Sequence, residues 1–229
     1  MNLQSILNQV LQSAANTQRS DAGKYLTGGA VGGALGLLLG SKRGRGIGGK
    51  AIKYGSVAAI GALAWKVYQD HQARQAASGP AASTGTLPTS VPAQAQAQTQ
   101  MASPFAALPA PQLELHSQAM LKAMIAAAKS DGHMDDRERE LVEGELTRLN
   151  ADPAARRWVE AELRKPIDPA DVAAAASTPE MAAEIYLASV LVVDETTTME
   201  RAYLDELARR LNLAPGLKID LEQRAAAAM

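Results

Sequence analysis

The chain of 229 residues contains no cysteine. A disulfide framework, a thiolate metal centre and a cysteine nucleophile are therefore excluded. Aromatic residues are nearly absent as well, with one Phe, two Trp and five Tyr. Any core must be assembled from Ala, Leu, Val, Ile and Met. Such a core suits close-packed helices better than strands, which favour β-branched and aromatic side chains. No stretch alternates with a period of two, so no sheet is expected. Charge is also missing over a long interval, since no charged residue occurs between Arg74 and Glu114.

What charge there is divides unevenly. Before residue 112 there are nine basic and two acidic residues, and after it 14 basic and 22 acidic ones. A basic front and an acidic back imply different partners for the two halves, although the net charge is only −1. Four regions follow from composition and periodicity: an amphipathic segment (1–25), a glycine-rich segment (26–70), a low-complexity linker (71–111) and a helical domain (112–229).

In the first region Leu3, Ile6, Leu7, Val10 and Leu11 recur at helical spacing opposite a face of Asn, Gln and Ser. That face lacks Lys and Arg, which favours packing on protein over lying on a membrane surface. The run has no basic lead and is interrupted by Gln and Asn, so it does not read as a signal peptide.

Residues 26–40, LTGGAVGGALGLLLG, place Gly28, Gly32, Gly36 and Gly40 four residues apart. Glycine costs about 1 kcal/mol relative to Ala in a water-exposed helix. In a bilayer the same spacing lets helix backbones approach closely. A basic turn, SKRGRGIGGK, follows, and then AIKYGSVAAIGALAWKVY at 51–68. Eighteen helical residues span roughly 27 Å, about the thickness of the hydrocarbon core. Tyr54, Trp65 and Tyr68 lie where interfacial aromatics are expected. Two architectures follow: a helical hairpin with small residues at its seam, or one spanning helix preceded by a re-entrant or surface segment. Either makes the membrane a partner, and the glycine rows suit self-association. The glycines around Lys50 do not form a phosphate loop, because no strand precedes them and no Ser or Thr follows the lysine. Residues 76–111 are almost wholly Ala, Ser, Thr, Pro, Gln and Gly, a composition expected to stay disordered.

From residue 112 onward the pattern predicts about seven helices. Capping signals mark their starts: Asp135 with Glu138, Asp152-Pro153, Asp168-Pro169, Thr178-Pro179, and Thr197 with Glu200. The helix after Pro179 is apolar nearly all round and belongs at the centre of a bundle. Two junctions resemble one another, KSDGHMDDRE at 129–138 and VDETTTMER at 193–201. Each carries an Asp, a short turn and a Glu one turn into the next helix, as in an internal pseudo-repeat. Packing the two units face to face would gather Asp131, Asp135, Glu138, Asp194 and Glu200. Carboxylates of this kind suit a hard divalent cation such as calcium, magnesium or manganese. The same acids also serve simply as caps on free helix N–H groups. The spacing departs from that of an EF-hand, and His71 and His116 have no companions along the chain.

The junction at 129–138 resembles the K-[AS]-D-G-x-[IM]-x-x-x-E signature of TerB-like domains, a family named for tellurite resistance. The segment 193–211, together with the order of glycine-rich region, basic turn, Trp-containing helix and linker, resembles the YebE-like family of uncharacterised bacterial inner-membrane proteins. That resemblance implies an all-α, TerB-like helical bundle at the inner membrane. It also implies a cation site matched by Asp131, Glu138, Asp194 and Glu200, and a link to tellurite or envelope stress. Some relatives carry a further acid where this chain has Thr196. The expected function is a non-enzymatic, membrane-tethered module that senses a cation or binds a protein, with no role for nucleic acid. A purely structural docking domain and a metal-dependent enzyme using paired carboxylates are the alternatives.

Overall fold

The computed structural model describes residues 2–16, 57–77, 108–130, 136–193 and 197–228. Among these residues every regular element is an α-helix. They are α1 (Leu3–Asn16), α2 (Val57–Ala77), α3 (Ala110–Ala128), α4 (Asp136–Arg148), α5 (Pro153–Arg164), α6 (Pro169–Ala173), α7 (Pro179–Val192), α8 (Thr198–Arg210) and α9 (Pro215–Ala228). The all-α expectation holds. The glycine-rich run 26–40, the basic turn and most of the linker lie outside the described residues.

Local chemistry explains most of the helix starts. The Asp152 side chain accepts from the Ala154 and Ala155 N–H groups, Asp168 from Ala170, and Thr178 from Met181, each with proline at the first helical position. Thr197 and Glu200 form a reciprocal capping box. Helices α4 and α8 end alike. Asn150 (φ 50°) and Asn212 (φ 53°) adopt the left-handed conformation that closes a helix. The next residue then bonds back five positions, the Ala151 N–H to the Leu146 carbonyl and the Leu213 N–H to the Ala208 carbonyl. Proline opens the following helix at Pro153 and Pro215. The internal repeat therefore extends beyond the two junctions into the helix, its cap and the start of the next helix.

The bundle is built around α7. Eleven of its fourteen residues are buried, and it packs against α2, α3, α8 and α9. Helix α3 in turn carries α1, α5 and α6.

The two N-terminal helices belong to the same core. Leu3, Ile6 and Leu7 of α1 are buried, as are Ile60, Leu63, Ala64 and Val67 of α2. The first free N–H groups of α1 find a cap on another helix: Leu3 and Gln4 donate to the Glu114 carboxylate at 2.9 and 3.3 Å. At the far end of α2, the Asp220 carboxylate of α9 meets His71 Nδ1 at 3.1 Å and the Arg74 guanidinium at 3.1 Å. Large apolar side chains buried in this way contribute about 1.5–3 kcal/mol each. A partly exposed ion pair contributes about 0–1 kcal/mol. The apolar face therefore holds α2 in place, and the Asp220 clip sets its register.

This differs from the sequence expectation for residues 51–68. The described part of that stretch is packed against α7 and α9, and the helix continues through 71–77, which composition alone places in the linker. Among the described residues no helix is long and apolar enough to cross a membrane. Trp65 and Tyr68, expected at an interface, stack on each other with ring centroids 6.4 Å apart.

Candidate functional site

A cleft of about 650 Å³ opens between α3, α5 and the junction leading into α7. Its walls follow from helical spacing. Leu115, Ala119 and Lys122 lie on one face of α3, and Trp158 and Glu162 lie on one face of α5, with Lys165 just past its C-terminal end. Met181, in the first turn of α7, and Leu108, just before α3, complete the apolar lining. Leu115 is 64% exposed at the mouth of the cleft.

The polar rim is a network of ion pairs. Lys122 Nζ reaches Asp171 at 2.9 Å, which holds that carboxyl below its ordinary range. Lys165 Nζ meets Glu162 Oε1 at 2.5 Å, and this bond raises the lysine's affinity for its proton. Behind them lies Lys129, 8% exposed, whose ammonium donates to the backbone carbonyls of Glu162 (3.1 Å) and Lys165. Those carbonyls close the C-terminal end of α5, where a cation complements the helix dipole. Burial pushes the Lys129 pKa down, and the neighbouring Glu162 opposes the shift. Ser130 is also buried, its hydroxyl donating to the Ala127 carbonyl at 2.6 Å. The first two residues of the 129–138 motif thus perform structural work.

His116 belongs to the lining of the cleft, and its Nε2 lies 3.0 Å from Glu184 Oε1, the side chains 3% and 0% exposed. Among the described residues Glu184 Oε2 has no hydrogen-bond partner. Burial raises the Glu184 pKa above the ordinary carboxylate value, and His116 partly offsets this. His71 and His116, isolated along the sequence, each have a carboxylate companion in space.

The five acids expected to hold a cation fare unequally. Asp131, Asp135 and Asp194 lie outside the described residues. Glu138 lies in α4, its side chain likewise outside them. Glu200 is 6% exposed, and its Oε2 accepts from the Thr197 N–H and hydroxyl, both at 2.9 Å. Among the described residues no group of three or more His, Asp or Glu side chains is placed to hold a metal ion.

The cleft can receive an apolar side chain against Trp158 and Met181, with the ion-paired Lys122 and Lys165 at its edge. Its two hydroxyl-bearing lining residues are otherwise engaged: Ser177 Oγ lies 3.4 Å from Met181 Sδ, and Thr178 Oγ1 accepts the Met181 N–H. Among the described residues neither hydroxyl is hydrogen-bonded to a histidine or a carboxylate. Sequence reading singles out neither this cleft nor Glu184. One signal is present: Glu184, in the middle of an otherwise apolar stretch of the central helix, must have a partner or give up its charge.

The family model described as "Protein of unknown function (DUF533)" matches residues 24–225. An uncharacterised protein in the ampR 5′ region of Yersinia enterocolitica is 31% identical over 106 residues, covering 46% of this chain and 76% of that protein. No solved structure matches.

Proposed function

The chain belongs to the DUF533 family of proteins of unknown function, and on that premise we propose that it is a non-enzymatic docking module held at a bacterial inner membrane. The cleft between α3 and α5 carries this reading. Its occupant is a segment of a partner protein that presents one large apolar side chain beside a carboxylate. The apolar group meets Trp158 and Met181, and the carboxylate meets the half-exposed Lys165. Against an enzymatic role stand the lining hydroxyls of Ser177 and Thr178, which among the described residues engage Met181 and no base.

A photoreactive amino acid at position 115 of the full chain tests the cleft. It is expected to give a discrete protein adduct that Trp158→Ala or Lys165→Glu removes. The same group at position 219, exposed on α9, is expected to give none. Equal adducts at both positions, or an adduct indifferent to both substitutions, contradict the reading.

Support for the membrane tether comes from the glycine rows and basic turn of residues 26–53 and from the YebE-like order of regions. The glycine rows also support self-association within the bilayer. Cation binding by Asp131, Asp135, Glu138, Asp194 and Glu200 is the competing role, in keeping with the TerB-like resemblance. The likeness of the two junctions supports it, and the commitment of Glu200 to its capping box weighs against it. A cation that binds only the native state raises the melting temperature. If the acids act only as caps, millimolar calcium, magnesium or manganese leaves the melting temperature of the full chain unchanged. A rise that Asp131→Ala abolishes favours the cation site.

A further inference from the structure

We infer that the occupant of the cleft is an amphipathic α-helix of another protein, laid between α3 and α5 as α2 lies between α7 and α9. This rests on the docking reading above and specifies the shape and chemistry of the partner segment.

The internal repeat carries the inference. Helices α4 and α8 are equal in length and end in the same asparagine conformation, and Pro153 and Pro215 then open α5 and α9. In the register those prolines set, Ala155, Val159 and Leu163 of α5 correspond to Leu217, Leu221 and Ala225 of α9. All six are buried. The two helices therefore turn the same face into the bundle, and the faces beside it correspond as well. Helix α5 packs on α3, and α9 packs on α7. Each unit thus has a groove between its first and last helices.

In the second unit α2 fills that groove. It packs on both α7 and α9. Its buried stripe, Ile60, Leu63, Ala64 and Val67, has the spacing of one helix face. On α9 it meets Gly216 and Asp220, one turn apart. A Cβ added at Gly216 would stand 2.9 Å from His71 Cε1, and Asp220 holds His71 and Arg74. The counterparts on α5 are Ala154 and Trp158, and Trp158 lines the cleft. The cleft therefore occupies the face of the first unit that α2 covers in the second. Neither α1 nor α2 contributes to its lining.

The differences between the two grooves describe the occupant. Asp220 draws in the basic end of α2, whereas Trp158 offers an aromatic surface at the same position. Lys165 stands at the rim, half exposed. The helix that fits has an apolar stripe spaced like that of α2, and acidic residues where α2 carries His71 and Arg74. An apolar helix face anchored in a groove by one large aromatic is a common mode of recognition. The stripes of α1 and α2 are buried in this chain's own core, so neither serves as the occupant in a second copy.

The probe is a fluorescent synthetic peptide with the 21-residue sequence of α2, carrying His71→Glu and Arg74→Glu to disfavour the Asp220 groove. A second peptide has the same composition with the stripe scrambled. Anisotropy with the full chain is expected to show the striped peptide binding at least about tenfold tighter than the scrambled one. Trp158→Asp or Lys165→Glu is expected to weaken that binding about tenfold. Trp158→Asp, which gives α5 the acid of α9, is also expected to bind the unmodified α2 peptide more tightly than wild type does. The Lys165→Glu variant decides the outcome if Trp158→Asp fails to fold. Equal affinity for the striped and scrambled peptides, or binding indifferent to these substitutions, overturns the helical occupant. A photoadduct at position 115 would in that case leave the docking reading standing, and its absence would remove both.

Discussion

Glu184 shows how far a single residue can depart from its sequence context. It sits in a helix whose neighbours are Ala, Ile and Tyr, it is fully buried, and among the described residues the His116 imidazole lies 3.0 Å from it. Burial raises its pKa above the ordinary 4.5. The folded state therefore holds this proton more tightly than the unfolded chain does. The stabilising effect is complete below about pH 4.5 and is lost as pH rises through the folded-state value. Glu184→Gln keeps the shape and removes the titration. Its melting temperature relative to wild type is therefore expected to rise between about pH 5 and about pH 8, a comparison that thermal denaturation at the two pH values provides. A constant gap would show that Glu184 keeps an unshifted pKa. The caps at Asp152, Asp168, Thr178 and Thr197 are legible in the sequence because capping is settled within four residues of chain. The His116–Glu184 pair is not, because no local pattern tells which buried acid meets which histidine. Lys129 is legible as part of a motif, but its role as a cation on the end of α5 requires the fold.

At the scale of elements, helix type and order from residue 110 onward are readable, including the central place of α7. The exception is α2. An apolar helix has the same periodicity whether it faces lipid or a protein core, and only its partners distinguish the two. Helix α7 is apolar on nearly every side, and α3, α8 and α9 leave one of those sides to α2. The fragment 108–229 corresponds closely to the domain expected from sequence, but it lacks that cover. It is expected to melt several degrees below the full chain and to bind a hydrophobic dye more strongly, because Ile60, Leu63 and Val67 no longer shield α7 and α9. Equal melting temperatures and dye binding would mean that α2 contributes nothing to the core. The repeat, by contrast, is fuller than its junctions suggest, since Arg148-Leu149-Asn150 and Arg210-Leu211-Asn212 end two helices of equal length in the same way.

The whole molecule joins the two ends of its sequence in one helical body. Charge asymmetry hints at two halves with separate partners, and composition draws a boundary near residue 112. Helices α1 and α2 flank the basic, glycine-rich stretch, and both pack on the acidic bundle. Sequence separation hides this, since the contacts of α1 with Glu114 and of α2 with Asp220 each bridge more than 100 residues. The cover that α2 gives to α7 depends on this single body. Amide hydrogen exchange of the full chain tests it most directly. If the account holds, the amides of residues 60–70 in α2 are protected along with those of α7 and exchange at comparable rates. Exchange of residues 60–70 at the rate of an unstructured peptide, while α7 stays protected, would contradict it.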